Sequence, residues 1–292
     1  MAFKSGFVNI IGNPNVGKST LMNALVGEKL SIITPKVQTT RHRILGIVTN
    51  EDLQIIFSDT PGIVKPHYEL HHSMMNYVIN ALEDADILLY LTQPKDEPAQ
   101  EAILEKIKES NLPLIIIINK IDLSTQDEVE QTMAQWKKIF PHSEIIPISA
   151  LLKFNLESLM NRILEKLPEN PPYYEKDRLT DKTERFFVSE IIREKIFKLY
   201  HREVPYSTEV VVERFKEEEN IVRIMAYIFV ARESQKIILI GKQGKAIKQL
   251  GTEARKDIEE FIGKKVFLEL SVKVRKDWRN DPKQLKRLGY GE

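Results

Sequence analysis

At 292 residues the chain has the length of two ordinary domains. With 42% hydrophobic and 29% charged residues, 14 Pro and 12 Gly, it has the composition of a soluble globular protein, not of a disordered, collagenous or low-complexity one. The absence of Cys excludes disulfides, Cys-ligated zinc, iron–sulfur clusters and thiol catalysis, as expected in a reducing cytosol. The longest apolar run, 224–231, is eight residues, and 87–91 and 114–118 are five each, whereas a bilayer span needs about 20. The opening residues lead into 7–11 without an apolar signal core, so a cytoplasmic location is expected.

The net charge of +1 hides a split. Residues 1–180 carry 18 positive and 23 negative side chains, residues 181–292 carry 25 and 19, and within 221–292 the count is 17 to 9. Two halves of opposite sign point to two different partners.

In chain order, residues 7–11, 53–57, 87–91, 114–118 and 145–148 are short runs rich in Ile, Val or Leu, the pattern of buried strands. Helical spacing falls between most of them, over 19–29, 72–83, 98–110, 127–140 and 156–167. The alternation predicts an α/β domain with a mostly parallel sheet. One antiparallel edge strand is expected, because Asn50, Glu51 and Asp52 make a turn between 44–49 and 53–57. Three prolines within 168–172 suggest a semi-rigid spacer. The expected division is therefore 1–170, a linker over 171–183, and a smaller α+β domain over 184–292. In that second domain a helix is read over 184–200, strands over 208–215 and 221–230, a Gly-interrupted segment, a helix over 245–262 and a strand over 266–274.

The stretch Gly12-Asn13-Pro14-Asn15-Val16-Gly17-Lys18-Ser19 fits G-x-x-x-x-G-K-[ST] between a predicted strand and a predicted helix. Glycines let the backbone wrap a phosphate chain, and N–H groups point inward beside the positive end of the helix dipole. The nucleotide-binding set read here is Asn13, Asn15, Val16, Gly17, Lys18, Ser19 and Thr20, with Lys18 on the phosphates and Ser19 on Mg²⁺. Asn119, Lys120 and Asp122 follow a strand. The Asp122 carboxylate would accept from N1–H and the 2-amino group of guanine, donors that adenine lacks, so GTP is preferred over ATP. Asp59-Thr60-Pro61-Gly62 lies in order between these motifs. There Asp59 would hold Mg²⁺ through water and the Gly62 N–H would meet the γ-phosphate. In the polar loop before the hairpin, Thr40 is favoured over Thr39 to close over Mg²⁺ and the γ-phosphate. Ser149 and Ala150, at a later strand end, would support guanine O6 through their backbone. Lys18, Thr40 and Gly62 are the residues assigned to catalysis, and Ser19, Thr40 and Asp59 those assigned to the metal. His67, His71 and His72 lack a metal motif and read as a solvated switch segment.

The order Gly12, Thr40, Asp59, Asn119, Ser149 resembles the translation-factor-like class of P-loop GTPases over residues 5–167. The resemblance implies a GTP/GDP switch whose loops near 31–43 and 60–76 are ordered by the γ-phosphate and Mg²⁺. Where the Ras-like pattern places a water-orienting Gln, this chain has Ile63. Slow intrinsic hydrolysis, near ~10⁻⁴ s⁻¹, is expected. Asn15 matches a position that some related GTPases use to hold K⁺; the other reading is an Asn that stabilises the loop.

In the basic half, Ile240-Gly241-Lys242-Gln243-Gly244-Lys245-Ala246-Ile247 carries a G-x-x-G loop that looks like the signature of a KH domain, whose loop clamps about four single-stranded nucleotides. Lys242, Lys245 and Lys248 would meet phosphates, Gln243 belongs to the same loop, and Ile240 and Ile247 would floor the bases. In the tail, Arg275, Lys276 and Arg279 surround Trp278. Either these form a stacking and phosphate-binding cluster, or Trp278 packs inward beneath a solvated tail.

A GTPase followed by a KH domain, with Gln38-Thr39-Thr40-Arg41-His42-Arg43 and the closing Lys276-Asp277-Trp278-Arg279-Asn280-Asp281 and Leu288-Gly289-Tyr290, resembles the Era family of bacterial GTPases over nearly the whole chain. This implies a monomeric factor for small ribosomal subunit assembly. In its GTP form it would bind the 3′ end of 16S rRNA through the KH domain, and peripheral membrane contact is also implied. Two rivals remain at this stage: an ATP-using P-loop kinase, and a GTPase scaffold whose basic domain meets acidic lipid.

Overall fold

The computed structural model describes residues 2–291. By internal contacts the chain separates into two units, the first running to Pro66 and again from Met74 to Asp181, the second taking His67–Ser73 and everything from Lys182 onward.

The first unit alternates strand and helix: β1 (Lys4–Gly12), α1 (Lys18–Val26), β2 (Ile44–Thr49), β3 (Leu53–Asp59), α2 (Glu69–Glu83, of which Met74 onward belongs to this unit), β4 (Ile87–Thr92), α3 (Glu101–Glu109), β5 (Leu114–Ile118), α4 (Gln126–Ile139), β6 (Glu144–Pro147) and α5 (Leu156–Lys166). The six strands form one sheet in the order β2-β3-β1-β4-β5-β6. Every neighbouring pair is parallel except the β2–β3 hairpin, as the Asn-Glu-Asp turn predicted. One apolar layer joins Ile11, Tyr90 and Ile116 of the sheet to Val78, Ile103 and Trp136 of the helices. Helix α1 stops at Val26, short of the expected Lys29, because Gly27 takes φ 85° and turns the chain out of the helix. Because the strands run parallel, β1, β3, β5 and β6 end at Gly12, Asp59, Ile118 and Pro147 along one sheet edge, where ligands of open α/β sheets bind.

The segment 171–181, expected as part of a semi-rigid spacer, is also paired to the edge of the first sheet. The Ile47 N–H donates to the Leu179 carbonyl at 2.8 Å and the Leu45 N–H to Asp181 Oδ1 at 3.0 Å. Gln54 accepts from the Tyr173 and Tyr174 N–H groups and donates to the Tyr174 carbonyl. Edge strand β2 has backbone donors to satisfy, and the segment supplies the acceptors.

The second unit contains α6 (Glu184–Leu199), β7 (Thr208–Glu217), β8 (Ile221–Val230), α7 (Glu233–Ile240), α8 (Lys245–Ile262), β9 (Lys265–Val274) and α9 (Pro282–Arg287). Its sheet runs β7-β8-β9, antiparallel then parallel. Val222, Ile224, Ala226 and Ile228 from alternate positions of β8 meet Val188, Ile192 and Ile196 of α6 and Leu250, Ala254 and Ile258 of α8 in one core. Helix α7 replaces the expected irregular segment. Its apolar run Ile237-Ile238-Leu239-Ile240 is too short to display a helical period in the sequence. Among the described residues, no helix is long and apolar enough to cross a membrane.

Candidate functional site

Two places bring the chemistry-bearing residues together. In the first unit, the loops after β1, β3 and β5 surround a cleft of about 430 Å³ lined by Asn15, Gly17, Lys18, Ser19, Thr20, Thr40, Gly62, Asn119, Lys120 and Asp122, among others. Glycine is required where the loop turns. Gly17 sits at φ 99°, and a Cβ there would lie 2.3 Å from Asn119 Nδ2. At Gly62 a Cβ would come within 2.8 Å of the Pro14 Cα, so the D-x-x-G turn can close on the phosphate loop only without a side chain.

Lys18 Nζ donates to the Gly12 and Asn13 carbonyls at 3.1 and 2.8 Å. Burial lowers its pKa to about 8, against the carboxylates of Asp59 and Asp96, which raise it. At the start of α1, Ser19 Oγ lies 2.9 Å from Thr40 Oγ1 and donates to Asp59 Oδ2 at 2.7 Å, while Thr40 Oγ1 stands 3.4 Å from the same oxygen. Asp59 Oδ1 is buried with no hydrogen-bond partner. Burial raises the Asp59 pKa, and the Ser19 bond and the Lys18 charge pull it back. Two hydroxyls and a carboxylate with an open lone pair make an all-oxygen set. That set suits Mg²⁺, which is usually held by one or two carboxylates together with substrate phosphates. Thr39 serves the loop instead, bonding to Thr34 Oγ1 and the Lys36 carbonyl. No group of three or more His, Cys, Asp or Glu is arranged to hold a metal among the described residues. His67 and His72 are exposed, but His71 is buried and stacked 3.8 Å from the Tyr68 ring, so the three histidines are not uniformly solvated.

Asn119 ties three loops together. Its Nδ2 donates to the Val16 carbonyl at 2.8 Å, and its Oδ1 accepts from the Ala150 N–H at 2.9 Å. Lys120 Nζ donates to the Asn15 carbonyl, and burial lowers its pKa. Asp122 stands exposed at the rim in the short turn Ile121–Leu123. Ser149 and Ala150 are buried behind it, with Ser149 Oγ accepting from the Leu152 N–H. Val16 offers a ligand only its backbone, since its side chain is buried. Asn13 turns its side chain away to Asp96 and the Glu97 carbonyl. Asn15, at φ 62°, donates to the Pro35 carbonyl at 3.0 Å and so joins the phosphate loop to the segment carrying Thr40. Ile63 is buried among Ile11, Tyr90 and Met75. The side chain after Gly62 therefore faces the core.

In the second unit, Gly241 at φ 69° and Gly244 at φ 74° flank Gln243, itself at φ 54°, in a tight turn between α7 and α8. A Cβ on Gly241 would lie 2.6 Å from the Ala246 Cβ, whereas Gly244 faces open space. Lys242, Gln243, Lys245 and Lys248 are exposed, and these lysines carry no ion pair among the described residues. Ile240 and Ile247 are half-buried. The residues that the sequence reading missed are Ile237 and Ile238 on α7, 70% and 53% exposed. An exposed apolar pair beside a cationic loop suits nucleobases, and the unread helix had hidden it.

Trp278 corrects an expectation. It is fully buried, and its Nε1–H donates to the Ser207 carbonyl at 3.0 Å, so it cannot stack on a base. A large indole gains more from burial than from solvent, and its one donor finds a partner inside. The cation–aromatic contacts form instead with other rings. Arg275 lies 3.6 Å over the Phe229 ring and Lys273 lies 3.2 Å over Tyr227. Lys276 is exposed and Arg279 half-buried.

Comparison with known proteins gives both regions relatives. The family model described as "50S ribosome-binding GTPase" matches residues 7–120, and the KH domain model matches residues 203–279. GTPase Era of Syntrophus aciditrophicus is 47% identical over 298 residues, spanning 99% of this chain and 96% of the relative. GTPase Era of Caldanaerobacter subterraneus is 47% identical, spanning 99% of both. A crystal structure of Era with MgGDPNP and nucleotides 1506–1542 of 16S ribosomal RNA superposes with a TM-score of 0.95 at 42% identity, covering 99% of this chain and 100% of that one. Aquifex aeolicus Era bound to GDP and AlF₄⁻ gives 0.94 at 42% identity, with the same coverage.

Proposed function

The chain belongs to the Era family of GTPases, and from that premise we propose that it is a GTP-driven switch that binds the 3′ end of 16S rRNA through its G-x-x-G surface and assists small-subunit assembly in the cytoplasm. The observation that carries the nucleotide half is the convergence of Ser19, Thr40 and Asp59 beside Lys18, within the cleft whose other end holds Asp122.

GTP is split by in-line attack of water on the γ-phosphorus. The bond to the β–γ bridging oxygen breaks, and charge gathers on that oxygen. Lys18 and the backbone N–H groups from Gly17 onward line the cleft and would neutralise that charge. Bound Mg²⁺ would be held by Ser19 and Thr40, with Asp59 behind them, and would supply further charge neutralisation on the β- and γ-phosphates. The Gly62 N–H fixes the γ-phosphate. No side chain corresponding to the Ras-type Gln is present to orient the water, because Ile63 is in the core. That leaves the task to backbone groups and favours slow unassisted turnover. Asn119 positions the guanine pocket by bracing the loops, and Asp122 selects the base. Substituting Asp122→Asn tests this: preference should move from GTP to xanthosine triphosphate, and retained GTP selectivity would reject the assignment.

For K⁺, the supporting observation is Asn15, which already bridges the phosphate loop and the Pro35 carbonyl. A monovalent cation held there would sit near the charge that develops in hydrolysis. Faster turnover in K⁺ than in Na⁺ is expected, and equal rates would leave Asn15 as a loop brace. The switch reading requires reciprocity: GTP must strengthen RNA binding by the factor by which RNA strengthens GTP binding. Identical RNA affinity with GDP and with a non-hydrolysable GTP analogue would end it.

A further inference from the structure

Arg43 is the last residue before β2, three residues after Thr40, and its side chain is 14% exposed. Four of its five N–H donors go to three other elements. Nη1 and Nη2 form a two-pronged pair with Asp84 at 2.6 and 2.9 Å, just beyond the end of α2. Nε donates to Ser58 Oγ at 2.7 Å, one residue before Asp59 on β3. Nη2 also reaches Asn9 Oδ1 on β1 at 3.3 Å, and Asn9 Nδ2 in turn donates to the Ala81 carbonyl and to Asp84 Oδ1 at 2.6 and 2.7 Å.

Each element in this network leads directly to a nucleotide-sensing loop. Strand β1 runs into the phosphate loop, β3 carries Asp59, α2 follows the D-x-x-G turn, and Arg43 itself closes the segment that carries Thr40. The planar guanidinium matches the carboxylate geometrically, and its positive charge sits at the negative end of the α2 dipole. None of these groups lines the nucleotide cleft. Their effect on the nucleotide must therefore pass through the elements they hold.

We propose that Arg43 is a positioning residue that couples the two nucleotide-sensing segments, so that closing Thr40 over the γ-phosphate and fixing the end of α2 are one cooperative step. The inference rests on the GTPase reading, which turnover by the wild-type protein tests separately. GDP lacks the γ-phosphate and does not demand that closure, so the network contributes to GTP binding and not to GDP binding. A ligand shifts an equilibrium only by its differential affinity for the two states, and here Arg43 sets that difference.

The test is affinity for GDP and for a non-hydrolysable GTP analogue, measured on full-length protein by fluorescent-nucleotide titration, with kcat and KM beside them. Arg43→Gln should weaken the GTP analogue about tenfold or more, leave GDP within about twofold, and raise KM more than it lowers kcat. Arg43→Lys keeps the charge but not the fork and should restore only part of the loss. Asp84→Asn, a near-isosteric change at a half-exposed side chain, gives the same selective loss without threatening the fold. Combined with Arg43→Gln it should add little, because both act through one pair. Arg162→Gln removes an exposed pair with Glu165 on α5 and should change neither nucleotide. Parallel losses of GDP and GTP-analogue affinity in Arg43→Gln and Asp84→Asn would make Arg43 merely structural. Unchanged affinities for both would also overturn the proposal.

Discussion

The nucleotide cleft and the G-x-x-G surface solve opposite electrostatic problems. The first unit is the acidic half of the chain, yet it is built to receive the more concentrated negative charge. It does so with one buried lysine, an orphaned carboxylate oxygen and glycine-bounded backbone, all aimed at one point. The second unit leaves Lys242, Lys245 and Lys248 exposed and unpaired around a short turn. In the cleft, local geometry overrides net charge. On the surface, net charge itself attracts the ligand. Specificity should therefore be steep and largely salt-insensitive in the first unit, and shallow and salt-dependent in the second.

The sharpest way to break this contrast is at the base. Asp122→Asn should lower GTP-over-ATP discrimination by about 10³-fold or more, because the hydrogen-bond match to the base edge is what rejects the wrong base; competition binding measures it. A smaller but still large effect is expected from Trp278→Ala, which removes a fully buried indole and its bond to Ser207. A loss of about 3–5 kcal/mol in the second unit's stability should appear in thermal melts while GTP turnover at low temperature is kept. Gly241→Asp places a side chain against Ala246 and a negative charge among lysines. RNA affinity should fall about a hundredfold or more, by loss of some three kilocalories of binding, with hydrolysis unchanged; loss of hydrolysis would show that the two regions are not separable in this way.

Two gentler tests sharpen the electrostatics. Lys18 has its pKa lowered to about 8, so in the free protein it is charged below that pH and neutral above it. GTP affinity should fall as pH rises from 7 through 9, by at most about tenfold per unit above the pKa. Stability should move the other way. An unfolded Lys titrates near 10.4, so between about 8 and that value the unfolded chain binds the extra proton and the buried-charge penalty is relieved. The smallest effect is Lys245→Ala, which should flatten the slope of log affinity against log salt by about 0.7 for single-stranded RNA and leave sequence preference intact.

The nucleotide site was largely legible because its determinants are contiguous. A glycine-bounded loop, D-x-x-G and Asn-Lys-x-Asp each follow a strand whose apolar run is visible, and parallel strands bring their ends to one edge. What stayed hidden depends on distance. Nothing local marks Gln54 as the partner of Tyr173 and Tyr174, or Arg43 as the partner of Asp84. Trp278 was ambiguous because cationic neighbours suit both an RNA cluster and a solvated rim over a buried ring, and only the Ser207 carbonyl, 71 residues away, decides. Asn13 sits inside the phosphate-loop motif, yet its side chain serves Asp96. A motif assigns a backbone more reliably than it assigns a side chain.

The seam between β2 and residues 179–181 also has a consequence for synthesis. Ile47 and Leu45 emerge early from the ribosome, but their partners, the Leu179 carbonyl and the Asp181 carboxylate, emerge more than 130 residues later. At about 5–20 residues per second, the sheet edge stands open for many seconds during translation. Until the seam closes, it is the place where the nascent chain could pair with a neighbour. The first compact unit runs to Asp181 and not to the prolines, and a fragment cut at residue 170 would keep its nucleotide motifs while carrying a permanently unsealed edge.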